Sequence, residues 1–301
     1  MENLYSIAEM KSYEIVEKIL EGCSGDEKYK LKKDGKYFLL RISEKAKISE
    51  KRKEYDQLTG YMNTDIHTHT PILFGTNADI VYSIVSWVDG MPVMDLIKKD
   101  TSKNYYELGK KVGRELKKLH SCYPDAPKAD WKDIVEKKAL RFLENYRRMK
   151  AVFEGSKNAE QYIMENICLM ADRPQTLLHG DFHWNNCVAD EEGNVGIIDF
   201  SGGNTGDPWY EFGGLLWALE YSDSFANGQI DGYFDTIPDG FWKIFKFYVA
   251  LYAFEHLSYS NGTPEDIKNH ILNAGRMIHI FGKNFELDLP LFRTKLQEAD
   301  L

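Results

Sequence analysis

The stretch LLHGDFHWNN at Leu177–Asn186, followed by GIIDF at Gly196–Phe200, carries the most informative polar groups of the chain. Together the two segments place Asp181, Asn186 and Asp199 on two turns that flank a short predicted β-hairpin. Phosphoryl transfer needs such a set, because one carboxylate orients the attacking hydroxyl while an amide oxygen and a second carboxylate hold magnesium ions. The three residues are therefore the candidates for chemistry.

The spacing HGD-x-x-x-x-N, followed by an apolar strand that ends in Asp, resembles the catalytic loop and metal-binding Asp of the aminoglycoside phosphotransferase and choline kinase superfamily. The resemblance is closest to the antibiotic phosphotransferases. It implies an α+β, bilobal protein-kinase-like fold, with a small antiparallel β N-lobe that contains one helix and a larger helical C-lobe. It also implies that Asp181 is the catalytic base and that Asn186 and Asp199 bind Mg²⁺. We expect His179 to hold the loop by hydrogen bonds.

Composition and charge limit the possible classes of protein. The chain has 301 residues, of which 43% are hydrophobic, enough for one large domain or two lobes with a substantial core. It contains no run of about 18 apolar residues and no signal peptide pattern, and its four cysteines are scattered, so we expect a cytoplasmic protein with reduced thiols. A net charge of −9 argues against nucleic acid as a partner. We expect a monomer without membrane contact.

The first 88 residues are predicted to form the nucleotide-binding N-lobe. Asp34-Gly35 is a strong two-residue hairpin signal. In the strand that follows, alternation places Tyr37, Leu39 and Arg41 on one face. The pattern predicts one helix at 49–61 and strands at 12–20, 28–33, 36–42, 71–74 and 80–87.

Residues 89–301 are predicted to form the C-lobe, with the catalytic loop and the substrate-binding helices. A turn at Asp89-Gly90 and Pro92 makes the connection. Apolar periodicity and start signals such as Thr263-Pro264 predict helices. These helices are expected at 93–99, 104–122, 131–150, 159–170, 209–221, 241–259 and 263–281.

Arg41 lies on the third predicted strand, where kinases usually carry a lysine that bonds the nucleotide phosphates. The segment LLRI resembles the superfamily members that carry arginine there. Arginine is permanently charged and can bond phosphate through two nitrogens at once, so it is not a simple substitute for lysine. Its expected partner is Glu54 on the helix, with Glu50 as the second candidate. A surface ion pair without a catalytic role remains the alternative.

The nucleotide itself is expected to bind through the segments EGCSGD and YSIVSWVDG. In the first segment, Gly22 and Gly25 shape a loop and Ser24 offers a donor, although the motif is neither a P-loop nor a full G-x-G-x-x-G. The second resembles the hinge between kinase lobes, which implies that the base bonds the backbone of Ser86 and Val88. Because backbone groups make these contacts, the side chains do not show whether the nucleotide is ATP or GTP.

Residues 201–260 contain eight acidic side chains and two basic ones, which gives this segment a formal charge of −6. A cationic substrate is attracted by such a segment, whereas a solvated acidic surface is the alternative reading. Asp207 and Glu211 occupy family positions after the metal-binding Asp, and a structural role is open for both. The candidates for substrate binding are Asp207, Glu211, Glu220, Asp223 and Glu255.

These observations predict a Mg²⁺- and nucleotide-dependent small-molecule kinase. The predicted reaction transfers the γ-phosphate to a hydroxyl of an aminoglycoside or a related cationic antibiotic. One alternative is a metabolite kinase that acts on choline, a hydroxy-amino acid or a sugar amine. Another is a nucleotide-binding regulatory protein without catalysis. A protein kinase is disfavoured because the chain has no HRD or DFG motif.

Overall fold

The computed structural model describes residue 4 and residues 7–20, 25–123, 129–149, 152–200 and 204–299. The chain forms two compact units. We call the first the N-terminal unit; it comprises Met1–Val93, His179–Asp181 and Asn185–Asn204. The C-terminal unit comprises Met94–Leu178, Phe182–Trp184 and Thr205–Leu301. The division after Val93 lies five residues beyond the predicted one, and the hairpin with Asn186 and Asp199 groups with the N-terminal unit.

The N-terminal unit is built on an antiparallel sheet with the strand order β1-β2-β3-β5-β4. A 3₁₀ turn at Ala8–Ser12 precedes the sheet, so the first strand begins at Glu14 and not at residue 12 as predicted. The helix α1 spans Ile48–Tyr61. The five strands are β1 at Glu14–Ile19, β2 at Glu27–Lys33, β3 at Lys36–Glu44, β4 at Pro71–Thr76 and β5 at Ile80–Ser86.

The turn between β2 and β3 sets the register of the sheet. Asp34 and Gly35 both have positive φ, at 49° and 76°, as a type I′ turn requires. The resulting register pairs Lys28 with Arg41. Because successive residues of a strand point to opposite faces, Leu40 and Ile42 enter the core of the sheet while Arg41 points to the other face.

Three short strands complete the N-terminal unit: β6 at Met91–Pro92, β8 at Cys187–Ala189 and β9 at Val195–Ile197, paired in the order β6-β8-β9. The hairpin β8-β9 is the one predicted from the sequence. Thr68 makes an isolated parallel bridge to Ile197, and its hydroxyl donates to the Ile197 carbonyl at 2.7 Å. These bonds fix the end of β9, from which Asp199 follows two residues later.

The C-terminal unit is helical, with one short pair of strands, β7 at Thr176–Leu177 and β10 at Thr205–Gly206. Its helices are α2 at Val93–Lys99, α3 at Tyr106–Ser121, α4 at Trp131–Met149, α5 at Ser156–Asn166, α6 at Asp223–Tyr233, α7 at Phe241–Leu257, α8 at Pro264–His279 and α9 at Leu291–Ala299. The sequence did not predict α6 or α9. The predicted helix at 209–221 is a 3₁₀ helix at Pro208–Trp217. The sequence did not reveal the helix type, because a mostly apolar segment of ten residues does not distinguish a period of 3.0 from one of 3.6.

The α+β class and the division into a sheet-based and a helical part are confirmed. In the described residues, none of the helices combines the length and apolar character needed to cross a membrane.

Candidate active site

His179 fixes the loop that carries Asp181. The imidazole of His179 is fully buried, and its Nε2 donates to the Ile198 carbonyl at 2.9 Å. Its Nδ1 accepts from the backbone nitrogen of Asp181 at 3.2 Å. One ring nitrogen thus donates and the other accepts, which defines a neutral tautomer. The histidine ties the loop to the end of the strand β9, as expected from the sequence.

Asn186 holds both the backbone and the side chain of Asp181. Its Nδ2 donates to the Asp181 carbonyl at 2.8 Å and to Asp181 Oδ2 at 3.1 Å. The carbonyl of Asn186 in turn accepts from the backbone nitrogen of Ile198 at 2.9 Å. Hydrogen bonds at the base of the hairpin β8-β9 therefore join Asn186 both to Asp181 and to the residue before Asp199.

Asp199 lies directly after this hairpin in a left-handed backbone conformation, with φ of 63°. Asp tolerates this region better than most residues do. Its Oδ1 accepts from Arg41 Nη1 at 2.9 Å, and its Oδ2 lies 3.8 Å from Lys28 Nζ. Burial alone raises the pKa of Asp199, but the positive charges of Arg41 and Lys28 outweigh it, so the pKa lies below its ordinary value. Asp199 is thus ionised at neutral pH.

Arg41 has three acidic neighbours at unequal distances. Asp199 Oδ1 and Asp26 Oδ2 each lie 2.9 Å from a terminal nitrogen, whereas Glu54 Oε2 lies 3.7 Å away. Glu54 is closer to Lys51, whose Nζ is 2.9 Å from Glu54 Oε1. The expected contact between Arg41 and Glu54 is present but long, and Glu50 contacts Lys51 rather than Arg41. The sequence missed Asp26 as a partner.

Asn186 and Asp199 offer oxygen ligands of the kind that magnesium prefers. Because the Asn186 nitrogen is used on Asp181, its oxygen is the atom that can bind a cation. Magnesium usually takes one or two carboxylates together with phosphate oxygens and water, so this small donor set fits the ion. Within the described part of the chain, no group of three or more His, Cys, Asp or Glu side chains could hold a metal.

Arg41 also carries the signature of an anion site. Its Nε is buried and has no hydrogen-bond partner among the described residues. A buried donor without a partner is uncommon in folded proteins, and a bound anion is one group that satisfies it. The residues present therefore fit a nucleotide phosphate next to Arg41.

The backbone of Ser86 is already used within the N-terminal unit. Its nitrogen donates to the Thr70 carbonyl at 2.8 Å, and its carbonyl accepts from His69 Nδ1 at 2.7 Å. Burial lowers the pKa of His69 to about 4, so the imidazole is neutral. The carbonyl oxygen of Ser86 has a second lone pair, and this is the backbone acceptor that Ser86 can still offer to a nucleotide base. The predicted Ser24 lies outside the described residues.

Asp207 and Glu211 are buried in the C-terminal unit. Asp207 accepts from Arg173 Nη2 at 3.1 Å and from the Tyr248 hydroxyl at 2.6 Å, and it caps the 3₁₀ helix by accepting from the backbone nitrogen of Trp209. Glu211 Oε2 accepts from His120 Nε2 at 2.8 Å. Their burial and pairing favour the structural role over substrate binding for both residues.

The other acidic candidates are partly exposed, and each has a partner. Glu220 pairs with Arg276 at 2.9 Å and Asp223 with Lys295 at 2.8 Å. Glu255 accepts from the Tyr210 hydroxyl at 2.7 Å. Glu220 and Arg276 also line a cavity of about 150 Å³. A cationic ligand at Glu220 or Asp223 would compete with these internal bases.

Comparison with known proteins gives one family and a consistent fold. Residues 15–241 match the family described as the phosphotransferase enzyme family. No curated protein matches the chain significantly.

Solved structures share the fold at low sequence identity. A thermostable mutant of aminoglycoside phosphotransferase APH(4)-Ia in its apo form is 14% identical, with a TM-score of 0.69 over 92% of this chain and 98% of that one. A ternary complex of such a mutant with ADP and hygromycin B is 15% identical, with a TM-score of 0.69 over 91% of this chain and 96% of that one. A candidate fructosamine-3-kinase from Haemophilus somnus 129PT is 15% identical, with a TM-score of 0.59 over 90% of this chain and 95% of that one.

Proposed function

The chain belongs to the phosphotransferase enzyme family, and from this premise we propose that it is a Mg²⁺-dependent small-molecule kinase. The proposed reaction transfers the γ-phosphoryl group of ATP, or of GTP, to a hydroxyl of its substrate. One observation carries the proposal: at the base of the hairpin β8-β9, hydrogen bonds tie Asn186 both to Asp181 and to the residue before Asp199. Positioning and charge stabilisation are what phosphoryl transfer requires of a protein.

Asp181 is the proposed catalytic base. Because Asn186 holds its carbonyl and its Oδ2, and His179 bonds its backbone nitrogen, the carboxylate has a defined direction. A fixed carboxylate can accept the proton of the attacking hydroxyl as the new bond to phosphorus forms. We thus propose that Asp181 orients the substrate hydroxyl.

Asn186 and Asp199 are the proposed magnesium ligands, and Arg41 is the proposed phosphate-binding cation. Magnesium, when bound, neutralises phosphate charge during the transfer. Asp199 pairs with Arg41 at 2.9 Å. The proposed metal-binding carboxylate and the proposed phosphate-binding cation are therefore direct neighbours. We propose Glu54 as a weaker support of Arg41.

The nucleotide base is proposed to bond Ser86 and Val88. Val88 is buried, and a Cβ on Gly196 would lie 2.6 Å from its Cγ1, so only glycine at 196 lets the two segments approach this closely. The carbonyl of Ser86 accepts from His69 and can accept a second bond. Both adenine and guanine offer donors to a carbonyl, so ATP and GTP both remain candidates.

The proposed substrate is an aminoglycoside or a related cationic antibiotic. The fold is shared with aminoglycoside phosphotransferase APH(4)-Ia, including a complex with hygromycin B. Glu220, Asp223 and Glu255 are the partly exposed acids proposed to bind its ammonium groups, whereas burial removes Asp207 and Glu211 from this set. For Glu220 and Asp223, exchange of the protein guanidinium or ammonium group for a substrate ammonium would leave the carboxylate paired.

A metabolite kinase is the second candidate function. Two observations favour it: the fold is shared with a candidate fructosamine-3-kinase, and the acids proposed for a cationic antibiotic are paired internally. A sugar amine, choline or a hydroxy-amino acid would then be the acceptor. A regulatory protein that binds nucleotide without turnover is the third candidate, because Arg41 stands where kinases usually carry a lysine.

The deciding experiment measures nucleoside diphosphate release with Mg²⁺ and ATP, then GTP, against aminoglycosides, macrolides, choline and amino sugars. We expect turnover with one acceptor and a loss of at least about 10³-fold in kcat for Asp181→Asn, because the hydroxyl is no longer oriented. Glu191→Gln, at an exposed position in the turn of the same hairpin, is the matched control and should keep wild-type activity. Equal activity of Asp181→Asn and wild type would refute the assignment, and silence on aminoglycosides with turnover of a metabolite would favour the second candidate.

A further inference from the structure

Asp26 carries a buried carboxylate directly before β2 that none of the proposed roles uses. Its side chain has no exposed surface. Oδ1 accepts from the Ser43 hydroxyl at 2.6 Å, and Oδ2 lies 2.9 Å from Arg41 Nη2 and 3.0 Å from Lys51 Nζ. Both oxygens are thus held by groups from two different elements, β3 and α1.

The bond to Asp26 differs from the other two acidic contacts of Arg41 in what happens when a ligand binds. Asp199 is 37% exposed and is the proposed metal ligand, so its carboxylate must turn to the ion. Glu54 lies 3.7 Å from Arg41 and is engaged more closely by Lys51. Asp26 alone combines a short contact with complete burial. It is therefore the partner that Arg41 keeps throughout.

A guanidinium group presents its donors in a fixed plane, so fixing one edge fixes the direction of the other. Asp26 holds Nη2, and Nη1 then faces Asp199. With Asp199 engaged by a metal ion, Nη1 would be available for a phosphate oxygen without a rotation of the side chain. Pre-orientation of this kind lowers the entropy cost of binding.

We propose that Asp26, rather than Glu54, is the positioning residue that orients Arg41 toward the nucleotide phosphates. This rests on the proposed function, because it assigns Arg41 a phosphate as its ligand. The role that kinases usually give to a glutamate on the helix is here carried by a carboxylate directly before β2. Lys51 bridges the two acids, at 3.0 Å from Asp26 and 2.9 Å from Glu54.

The test compares Asp26→Asn with Glu54→Gln by the affinity for Mg²⁺-ATP and for adenosine, measured on the full chain without an acceptor substrate. We expect Asp26→Asn to raise the Kd for Mg²⁺-ATP at least about tenfold, as loss of a charge-assisted bond does. Glu54→Gln should raise it less than about threefold. The Kd for adenosine should stay unchanged in both, because adenosine carries no phosphate for Arg41. If ATP does not bind to the wild type, the same series is run with GTP and guanosine.

A structural role for Asp26 predicts a different outcome, and two further variants separate the roles. Asp26→Asn combined with Lys51→Met restores the local charge balance but not the anchor of Arg41, so the double variant should fold stably and still bind Mg²⁺-ATP weakly. Ser43→Ala leaves Asp26 Oδ2 on Arg41 and should bind like wild type. Recovery of affinity in the double variant, or an equal loss for adenosine, overturns the proposal. A wild type that binds neither nucleotide overturns the proposed function and this inference with it.

Discussion

His256 shows how burial lowers the pKa of a side chain in this protein. The imidazole is buried in the C-terminal unit, and its Nε2 has no hydrogen-bond partner among the described residues. Burial, and then the electrostatic effect of the neighbouring His270, lowers the pKa of His256 to about 4, while Asp266 opposes this shift. The rings of His256 and His270 lie 4.4 Å apart. His256 is therefore neutral at physiological pH.

This depressed pKa predicts an acid-dependent loss of stability. Between pH 6.5 and about 4, the unfolded chain binds a proton at residue 256 and the folded chain does not. The free energy of unfolding should therefore decrease as the pH is lowered through this window. His256 should contribute roughly 2 kcal/mol of that loss. Urea titrations of wild type and His256→Gln at pH 8, 6 and 4 measure it. The variant should lose less stability than wild type between pH 8 and 4; parallel losses would contradict the assigned pKa.

The helices α3 and α6 meet through glycines on both sides. A Cβ on Gly113 would lie 2.0 Å from the Gln229 carbonyl oxygen, and one on Gly228 would lie 2.0 Å from the Tyr106 carbonyl oxygen. Gly109 and Gly232 are equally close to the opposite backbone. The spacing of four residues in each helix repeats the contact one turn later. The two helices can approach this closely only because side chains are absent from the interface.

A pair of glycine-to-alanine substitutions tests this interface. Gly113→Ala should destabilise the protein by about 2–3 kcal/mol, because the new methyl group overlaps backbone atoms that cannot move aside cheaply. Gly275→Ala, within α8, is the matched control, since the nearest atom to its Cβ is Phe153 Cβ at 3.9 Å. There the helix propensity of alanine should stabilise the protein by about 0.5–1 kcal/mol. Thermal unfolding measures both, and a shift of the same sign in the two variants would contradict the packing argument.

At the scale of the whole molecule, ion pairs with distant residues neutralise part of the acidic segment. The segment 201–260 is strongly acidic in sequence, yet five of its carboxylates pair with lysine or arginine side chains from outside the segment. These pairs are Asp207 with Arg173, Glu220 with Arg276, Asp223 with Lys295, Asp231 with Arg293 and Asp235 with Lys117. A count along the sequence therefore overstates the negative field of this segment, which weakens the charge argument for a cationic substrate.

Two of these pairs attach α9 to α6, and they should contribute unequally to stability. Arg293 and Asp231 are mostly buried, and Asp231 also accepts from the Tyr106 hydroxyl at 2.9 Å. Arg293→Ala leaves Asp231 without its cation and should cost about 1–3 kcal/mol. Lys295→Ala breaks the exposed pair with Asp223 and should cost less than about 1 kcal/mol. Chemical denaturation of the two variants measures the loss in the free energy of unfolding. Equal losses would contradict the argument that the more buried pair contributes more.

The sequence by itself determined those features that depend on neighbours along the chain. The Asp34-Gly35 turn, the alternation in β3 and the hairpin after the HGD segment follow from local geometry, and the structure contains all three. Helix α6 escaped prediction because its glycines disfavour a helix locally. Its stability comes from the contact with α3, which lies more than a hundred residues away in sequence.

Only the tertiary structure decided which charges meet. Arg41 was paired with Glu54 from a sequence pattern, yet its short contacts are to Asp26, 15 residues away, and to Asp199, 158 residues away. Several carboxylates lie within reach of one arginine, and differences of less than 1 Å decide among them. Sequence spacing does not encode distances of that size, because they result from the packing of strands and helix together. The sequence thus determines which chemical groups are present, whereas the fold determines which of them pair.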